Sequence, residues 1–302
     1  MIIFIYSLFN LQNYYGVQLK SIIPFLLLLI TFSNANESID SCSSFDNKQD
    51  VFNCYEKFAN KGDINAQVTI ARLYSLGTLG EVKAEKSFYW YVKAGSLKNT
   101  KAMYLVGAMY ESGFGVKQSI SQAINWYEKA ALNGYIDAQY KLGTLYSLGE
   151  KVRPNIDVAI FWYEKAAYYE DIFAMSTLAN FYYNGNFVAQ DFKKAFEWYL
   201  QAARFDHADS QEKLAMMYTY GYGTSKNQKK AFYWFNRISD NSAMAQYHIG
   251  MMYYKGKGTK KDKKLAKFWL KMASNNSYTD ATKELLKIET LENSIALNET
   301  LN

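Results

Sequence analysis

Histidine, cysteine and proline each occur only twice among the 302 residues. Each scarcity removes a class of reading. Two prolines exclude a proline-rich spacer and suit a helical chain with short turns. Cys42 and Cys54, with no histidine near them, make neither a zinc finger nor a two-histidine helix site, so no metal is expected. The spacing of a phosphate-binding P-loop is missing too. The glycine pairs Gly113/Gly115, Gly221/Gly223 and Gly256/Gly258 follow no strand and read as turn residues. No small-molecule cofactor is implied. Aromatic residues, by contrast, are abundant, and their spacing decides the architecture.

The six tryptophans, Trp90, Trp126, Trp162, Trp198, Trp234 and Trp269, are separated by four intervals of 36 residues and a last one of 35. A fixed period of roughly 20–50 residues marks an array in which no single unit buries its own apolar face. Other positions keep the same time. Ala66, Ala102, Ala138, Ala174, Ser210 and Ala245 open repeats spanning 66–101, 102–137, 138–173, 174–209, 210–244 and 245–280, and Ala281 opens a seventh that degenerates after Ile288 into a polar tail. Tyr74, Tyr110, Tyr146, Tyr182, Tyr218 and Tyr253 follow eight residues into each repeat, and Gly77, Gly113, Gly149, Gly185, Gly221 and Gly256 follow eleven residues in. The short interval places a one-residue deletion in the turn near Ser239–Ala243.

Within a repeat, Ala138, Leu142, Leu145 and Tyr146 recur at helical spacing, with Asp137 as a candidate start cap and Gly149 as a stop. The residue after the conserved-in-repeat aliphatic is always small (Ala71, Gly107, Gly143, Ala179, Ala215, Gly250), which lets a second helix approach closely. That second helix begins at a capping residue, Ser119, Asn155, Asp191, Asn227 or Asp262, with Lys83 the exception. It then carries Ala159, Trp162, Tyr163, Ala166 and Ala167 on one stripe, with the indole expected as the largest buried side chain.

The pattern A-x-x-x-L-G-x-x-Y-x-x-G-x-G followed by A-x-x-W-Y-x-K-A-A resembles the Sel1-like repeat, a relative of the tetratricopeptide repeat. The stretch AMYLVGAMYESGFGVKQSISQAINWYEKAALNG shows nearly every position, and the resemblance covers about residues 45–287. Leu79, Lys151 and Phe187 depart from it in place of the second loop glycine, as do Phe235 and Leu270 in place of the tyrosine after tryptophan. The resemblance implies an all-α fold, a right-handed α-solenoid of six 36-residue helix-turn-helix repeats with capping helices. It also implies a non-enzymatic adaptor that binds a protein or peptide partner, in bacterial envelope biology, signalling or host interaction.

The ends are read separately. Ser21–Phe32 is an apolar run preceded by Lys20 and followed by the small-x-small pattern Ser33-Asn34-Ala35. Residues 1–35 are therefore expected to be a signal peptide, or an uncleaved membrane anchor, and the protein to be exported to the periplasm or secreted. Residues 36–65 are expected to form a half-repeat cap in which Cys54 takes the tryptophan position, and residues 281–302 a capping helix with a polar tail. In an oxidising compartment a Cys42–Cys54 disulfide would clip the leading segment to this end helix, at a gain of about 2–3 kcal/mol.

Charge is uneven. Between Lys226 and Lys287 stand 14 Lys and Arg against four Asp and Glu. The densest part holds Lys255, Lys257, Lys260, Lys261, Lys263 and Lys264. This is either an ordinary solvated face or a patch for an anionic envelope surface or acidic partner; nucleic acid does not fit an exported protein.

No catalytic residue is expected. His207 neighbours Asp206, Asp209 and Ser210, but Ser210 fills the packing position held by alanine elsewhere. His248 sits at a position occupied by Thr69, Leu105, Lys141, Thr177 and Lys213 in the other repeats and is expected to be exposed. Some exported, cysteine-rich relatives are associated with binding or hydrolysing β-lactams; in them the cysteines recur along the array, whereas here both lie at one end. Alignment with tetratricopeptide relatives instead points positions three, seven, ten and eleven of each repeat into a concave groove. In the first three repeats these include Arg72, Tyr104, Glu111 and Tyr140, and in the fourth Ser176, Asn180, Tyr183 and Asn184. In the last two they include Glu212, Met216, Tyr220, Tyr247, Met251 and Tyr254. Tyrosine and methionine suit a peptide-binding groove; the alternative is that they complete the core between repeats. Truncating Trp162→Ala is expected to cost about 3–5 kcal/mol in urea denaturation and to uncouple the halves of the array.

Overall fold

The computed structural model describes residues 39–78 and 80–300, with the side chains of the last helix placed as far as 294. The expected export signal in 1–35 and the variant loop position Leu79 lie outside the described residues. The chain divides into two compact units, Met1–Gln118 and Ser119–Asn302. The first holds a 3-10 helix, Ile39–Ser44, followed by α1 (Lys48–Asn60), α2 (Ile64–Leu76), α3 (Ala84–Ser96) and α4 (Thr100–Ser112). The second holds α5 (Ile120–Leu132), α6 (Ile136–Leu148), α7 (Ile156–Tyr168), α8 (Ile172–Asn184) and α9 (Phe192–Arg204). It continues through α10 (Ala208–Tyr220), α11 (Gln228–Arg237), α12 (Ala243–Lys255), α13 (Lys263–Asn275) and α14 (Thr279–Thr300). Within each unit a helix packs chiefly on those before and after it in sequence, which is the nearest-neighbour contact pattern of a solenoid.

Local chemistry sets the helix ends. The second helices start at Ser119, Asn155, Asp191, Asn227 and Asp262, whose side chains accept backbone N–H bonds, while Lys83 makes none, as the sequence predicts. The first helices start two residues earlier than the alanine marker. Asp63, Asn99 and Asp171 cap them by accepting from Ala66, Ala102 and Ala174 at 2.8, 2.8 and 2.6 Å. Asp137 is therefore no cap; it lies in the first turn of α6, and Tyr135 occupies the cap position without a side-chain bond. Gly149 ends α6 with φ +69°, a left-handed conformation that an L side chain resists. The deletion shortens α11 to 10 residues, and Ile238 and Ser239 turn inward behind it.

The core residue of the second helix is the one after the tryptophan. Tyr91, Tyr127, Tyr163, Tyr199, Phe235 and Leu270 are 6, 1, 2, 1, 0 and 0% exposed. Trp162 is buried, but Trp126, Trp198 and Trp269 keep an open edge, so the indole is not uniformly the deepest group. The small residue of the first helix makes room for this side chain: a Cβ on Gly143 would stand 2.7 Å from the Tyr163 ring. In the last four repeats position seven matches its chemistry. The Tyr163 hydroxyl donates to Thr144 Oγ1 at 3.2 Å and Tyr199 to Asn180 Oδ1 at 2.6 Å, as a buried phenol requires. Where the residue is Phe235 or Leu270, the position holds Met216 or Met251, packed into the same clusters.

Successive hairpins share a second joint. Phe52, Phe88, Phe196 and Phe232 meet Tyr74, Tyr110, Tyr218 and Tyr253 of the following repeat edge to face at 5.1, 5.2, 5.2 and 5.4 Å. Buried Gln67, Gln139, Gln211 and Gln246 reach back to the carbonyls of Ala59, Ala131, Ala203 and Ser239 near the preceding helix end. These carbonyls lie at the helix end, where the regular i+4 donor is missing; those of Ala59, Ala131 and Ala203 also accept from the N–H of Gly62, Gly134 and Asp206.

The Cys42–Cys54 disulfide is formed, with a Cα–Cα distance of 5.5 Å, and ties the 3-10 helix to α1. At the other end, Ala281 and Ile288 of α14 pack on Leu270 and Ala273, and Lys267 pairs with Glu292. The polar tail continues this helix to Thr300.

His248 is not exposed as the variability of its position suggests. Its imidazole stacks on Phe235 at 4.6 Å and 8°, and burial pushes its pKa down to about 4. The unfolded chain binds this proton near pH 6.5 while the folded chain refuses it, so stability falls as pH drops from about 6.5 to about 4. His248→Leu, which copies Leu105 of the second repeat, is expected to remove about 2–3 kcal/mol of that acid loss, read from urea titrations at pH 7 and pH 4.5. A second expectation concerns the loops. A Cβ on Gly223, φ +64°, would lie 1.9 Å from the Phe192 carbonyl oxygen, whereas Gly134, φ +85°, has open space around it. Thermal melts should show Gly223→Ala destabilising by about 3 kcal/mol and Gly134→Ala by about 1 kcal/mol.

Candidate protein-binding surface

The groove positions lie on the first helices of the hairpins, mostly with one side against the core and the other open. In the first unit, Arg72 is exposed and close enough to Tyr91 to act on it electrostatically, and Tyr104 and Glu111 are half-buried on α4. In the second, Tyr140 rests on Tyr163 and Phe173 at 5.5 and 6.4 Å, and Tyr183 on Phe192 and Tyr199 at 5.3 and 6.0 Å. Asn180 is exposed while holding Tyr199, and Asn184 is exposed at the end of α8. Ser176 does not face a groove: it is buried and donates to the Phe173 carbonyl at 3.0 Å.

Glu212 is half-buried, and desolvation raises its carboxyl pKa although the Ser242 hydroxyl donates to it at 3.4 Å. Tyr220 is 45% exposed and stacks with Tyr222 at 5.7 Å. Tyr247 lies on Tyr278 at 5.1 Å, and together with Met251 and Tyr254 it lines the cluster built on Leu270. Position seven thus answers first to the core in the later repeats, through Asn180, Met216 and Met251, whereas Tyr220, Asn184 and, at position seven of the first repeat, Arg72 answer to solvent.

Lys255, Lys257, Lys260, Lys261, Lys263 and Lys264 are all exposed. Lys263 and Lys264 occupy the first turn of α13, where the capping Asp262 is the acidic residue beside them. Cations there oppose the helix dipole, so they do not serve the helix itself. Part of this set converges with the groove. Tyr220, Tyr247 and Met251 share a concave site of about 400 Å³ with Lys226, Lys255 and Lys257, and His248 forms part of its wall. An adjoining cleft of about 650 Å³ continues over Lys226, Lys229 and Lys260. Sequence reading did not single out Lys226 as a site residue. The available signal was its place in the loop one repeat before Lys261, since loops at equivalent positions stack side by side.

The other histidine has a structural task. His207 Nδ1 lies 2.8 Å from Ser210 Oγ and 3.3 Å from Ser210 N, at the cap of α10, and Ser210 is fully buried. The pair is brought together, but as a helix start with no open nucleophile. Among the described residues no group of three His, Cys, Asp or Glu is placed to hold a metal ion, and no helix is long and apolar enough to cross a membrane.

Comparison with known proteins agrees with this geometry. The sequence model described as Sel1 repeat matches residues 64–99, 100–135, 136–168, 172–204, 208–242 and 243–278. Each match begins on the first residue of α2, α4, α6, α8, α10 or α12. Among solved structures, the chain is similar to a protective antigen present in uropathogenic Escherichia coli strains and displaying an SLR fold. The two are 28% identical with a TM-score of 0.66, over 81% of this chain and 52% of that one, so this chain spans about half the antigen's length. A Sel1 repeat protein from Oxalobacter formigenes is also 28% identical, with a TM-score of 0.58 over 79% of this chain and 100% of that one. No curated protein matches the chain. Six matched repeats, covering most of the sequence and coinciding with the hairpins, place this chain in the Sel1 repeat family.

Proposed function

We propose that this chain is an exported, non-enzymatic scaffold that binds protein partners through the groove positions of its first helices. Sel1 repeat proteins generally mediate protein–protein interactions, which supports the class of function. The observation that carries the assignment to this surface is the half-seated state of its side chains. Tyr140, Tyr183, Tyr220 and Tyr247 are each held by a ring contact on one side and keep solvent access on the other. Side chains already ordered in this way lose little entropy when a partner covers them, and tyrosine offers both area and a polar tip.

Export is supported by the apolar run Ser21–Phe32 and by the Cys42–Cys54 disulfide, a bond that persists in oxidising compartments. A non-enzymatic role is supported by the capping task of His207 and by the half-buried, neutral imidazole of His248 stacked on Phe235.

The test is crosslinking and mass spectrometry from the native host, with the parent chain beside an Arg72→Glu, Asn184→Arg variant. Both positions are exposed, and the variant should melt within about 2 °C of the parent. A partner captured by the parent and lost by the variant is the expected outcome. A partner retained by both would move the interaction off this surface.

A further inference from the structure

The concave site on α10–α12 has walls of two kinds. Tyr220, Tyr247, Met251 and Met252 are apolar or amphipathic, and Lys226, Lys255 and Lys257 are cationic. Among the described residues, none of these three ammonium groups has a carboxylate partner, although Lys267, Lys283 and Lys287 nearby in sequence each have one. Asp262, the acidic residue inside the densest lysine run, is committed to the N–H of Leu265 at 2.9 Å. Gln228 is likewise committed, donating to the Thr219 carbonyl at 3.0 Å. The site therefore combines uncompensated positive charge with a ready-made apolar wall, and nothing inside it supplies the missing anion.

We propose that this site binds an acidic segment of a protein partner, with one apolar side chain against Tyr247 and Met251 and flanking carboxylates on Lys226, Lys255 and Lys257. It rests on the scaffold reading and names the chemistry of the partner. Recess and wall favour a peptide over a bilayer. A volume of about 400 Å³ accepts one or two side chains, the tyrosine and methionine wall suits an apolar side chain better than a phosphate headgroup, and methionine adapts its shape to whichever side chain enters. His248 is half-buried on Phe235 and held neutral by desolvation, so it adds no charge to the apolar part of the wall.

A phage-displayed random peptide library, selected on the full chain alone and the enriched peptides then compared on a Lys226→Glu, Lys255→Glu, Lys257→Glu variant, tests this. The expected result is enrichment of peptides rich in Asp and Glu around one large apolar residue. Their affinity, read by fluorescence anisotropy, should fall by ~30-fold or more in the triple variant and weaken as salt rises. Tyr220→Ala should cost ~3–10-fold without changing the salt dependence. Melting temperatures close to the parent's would show that the exposed lysine changes leave the fold intact.

Enriched peptides without acidic residues, or with affinity unmoved by the triple variant, would overturn the proposal, as would failure to enrich any peptide. Peptides lost in Arg72→Glu, Asn184→Arg but kept by the triple variant would remove this site and leave the scaffold reading standing. Phosphatidylglycerol vesicles bound by the parent and released by the triple variant, with no acidic peptides enriched, would assign the lysines to a lipid surface and likewise overturn it.

Discussion

The close approach of two helices at one small residue is the constraint on which the hairpin depends. Tyr163 lies over Gly143 with no room for a methyl group between them, and Leu270 faces Gly250 in the same way, 2.8 Å from where its Cβ would be. Glycine inside a helix costs roughly 1 kcal/mol relative to alanine, so the sequence accepts a local penalty for a tertiary contact. The buried side chain then dictates its surroundings. In the third and fourth repeats the buried phenol finds its hydrogen-bond partner at position seven, Thr144 or Asn180; in the fifth and sixth a phenyl ring or leucine needs none and is met by methionine.

From hairpin to hairpin the contacts are few in kind and repeated. An edge-to-face aromatic pair joins some neighbouring hairpins and a glutamine-to-carbonyl bond joins others, so within each unit a few repeated contacts hold neighbours in register. Stability built from nearest-neighbour terms leaves many side chains free of structural duty. That freedom is uneven, however. At position seven, Asn180, Met216 and Met251 are drawn into holding or filling the hairpin, whereas Tyr220 and Asn184 remain largely open. A surface of this kind presents anchored aromatic rings between exposed polar groups, which suits recognition of another protein's shape more than chemistry on a small substrate.

The electrostatics of the last repeats bear on the proposed binding. An excess of lysine concentrated there would be solvated and unremarkable if it were spread over convex surface. Three of the lysines instead line a recess with Tyr247 and Met251, and the acidic residue among them is spent on a helix cap. Desolvating a carboxylate in such a place is offset by several cations at once, which is how a modest pocket gains selectivity for charge.

Secondary structure, repeat count and end chemistry were legible in the chain because they depend on residues close together in sequence and were read six times over. The capping residues of the second helices, the left-handed glycines, the small packing position and the Cys42–Cys54 pair all fall in this class. Asp137 was misplaced by two residues because helical periodicity marks the buried face and is silent on where the first turn begins. Which aromatic goes deepest, whether His248 is covered, and where Lys226 meets Tyr247 were decided by tertiary structure alone. Each depends on a partner about 13 to 31 residues away, brought near by stacking. A single repeat carries the instructions for its own hairpin, but the surroundings of its outward-facing side chains are written in the repeat beside it.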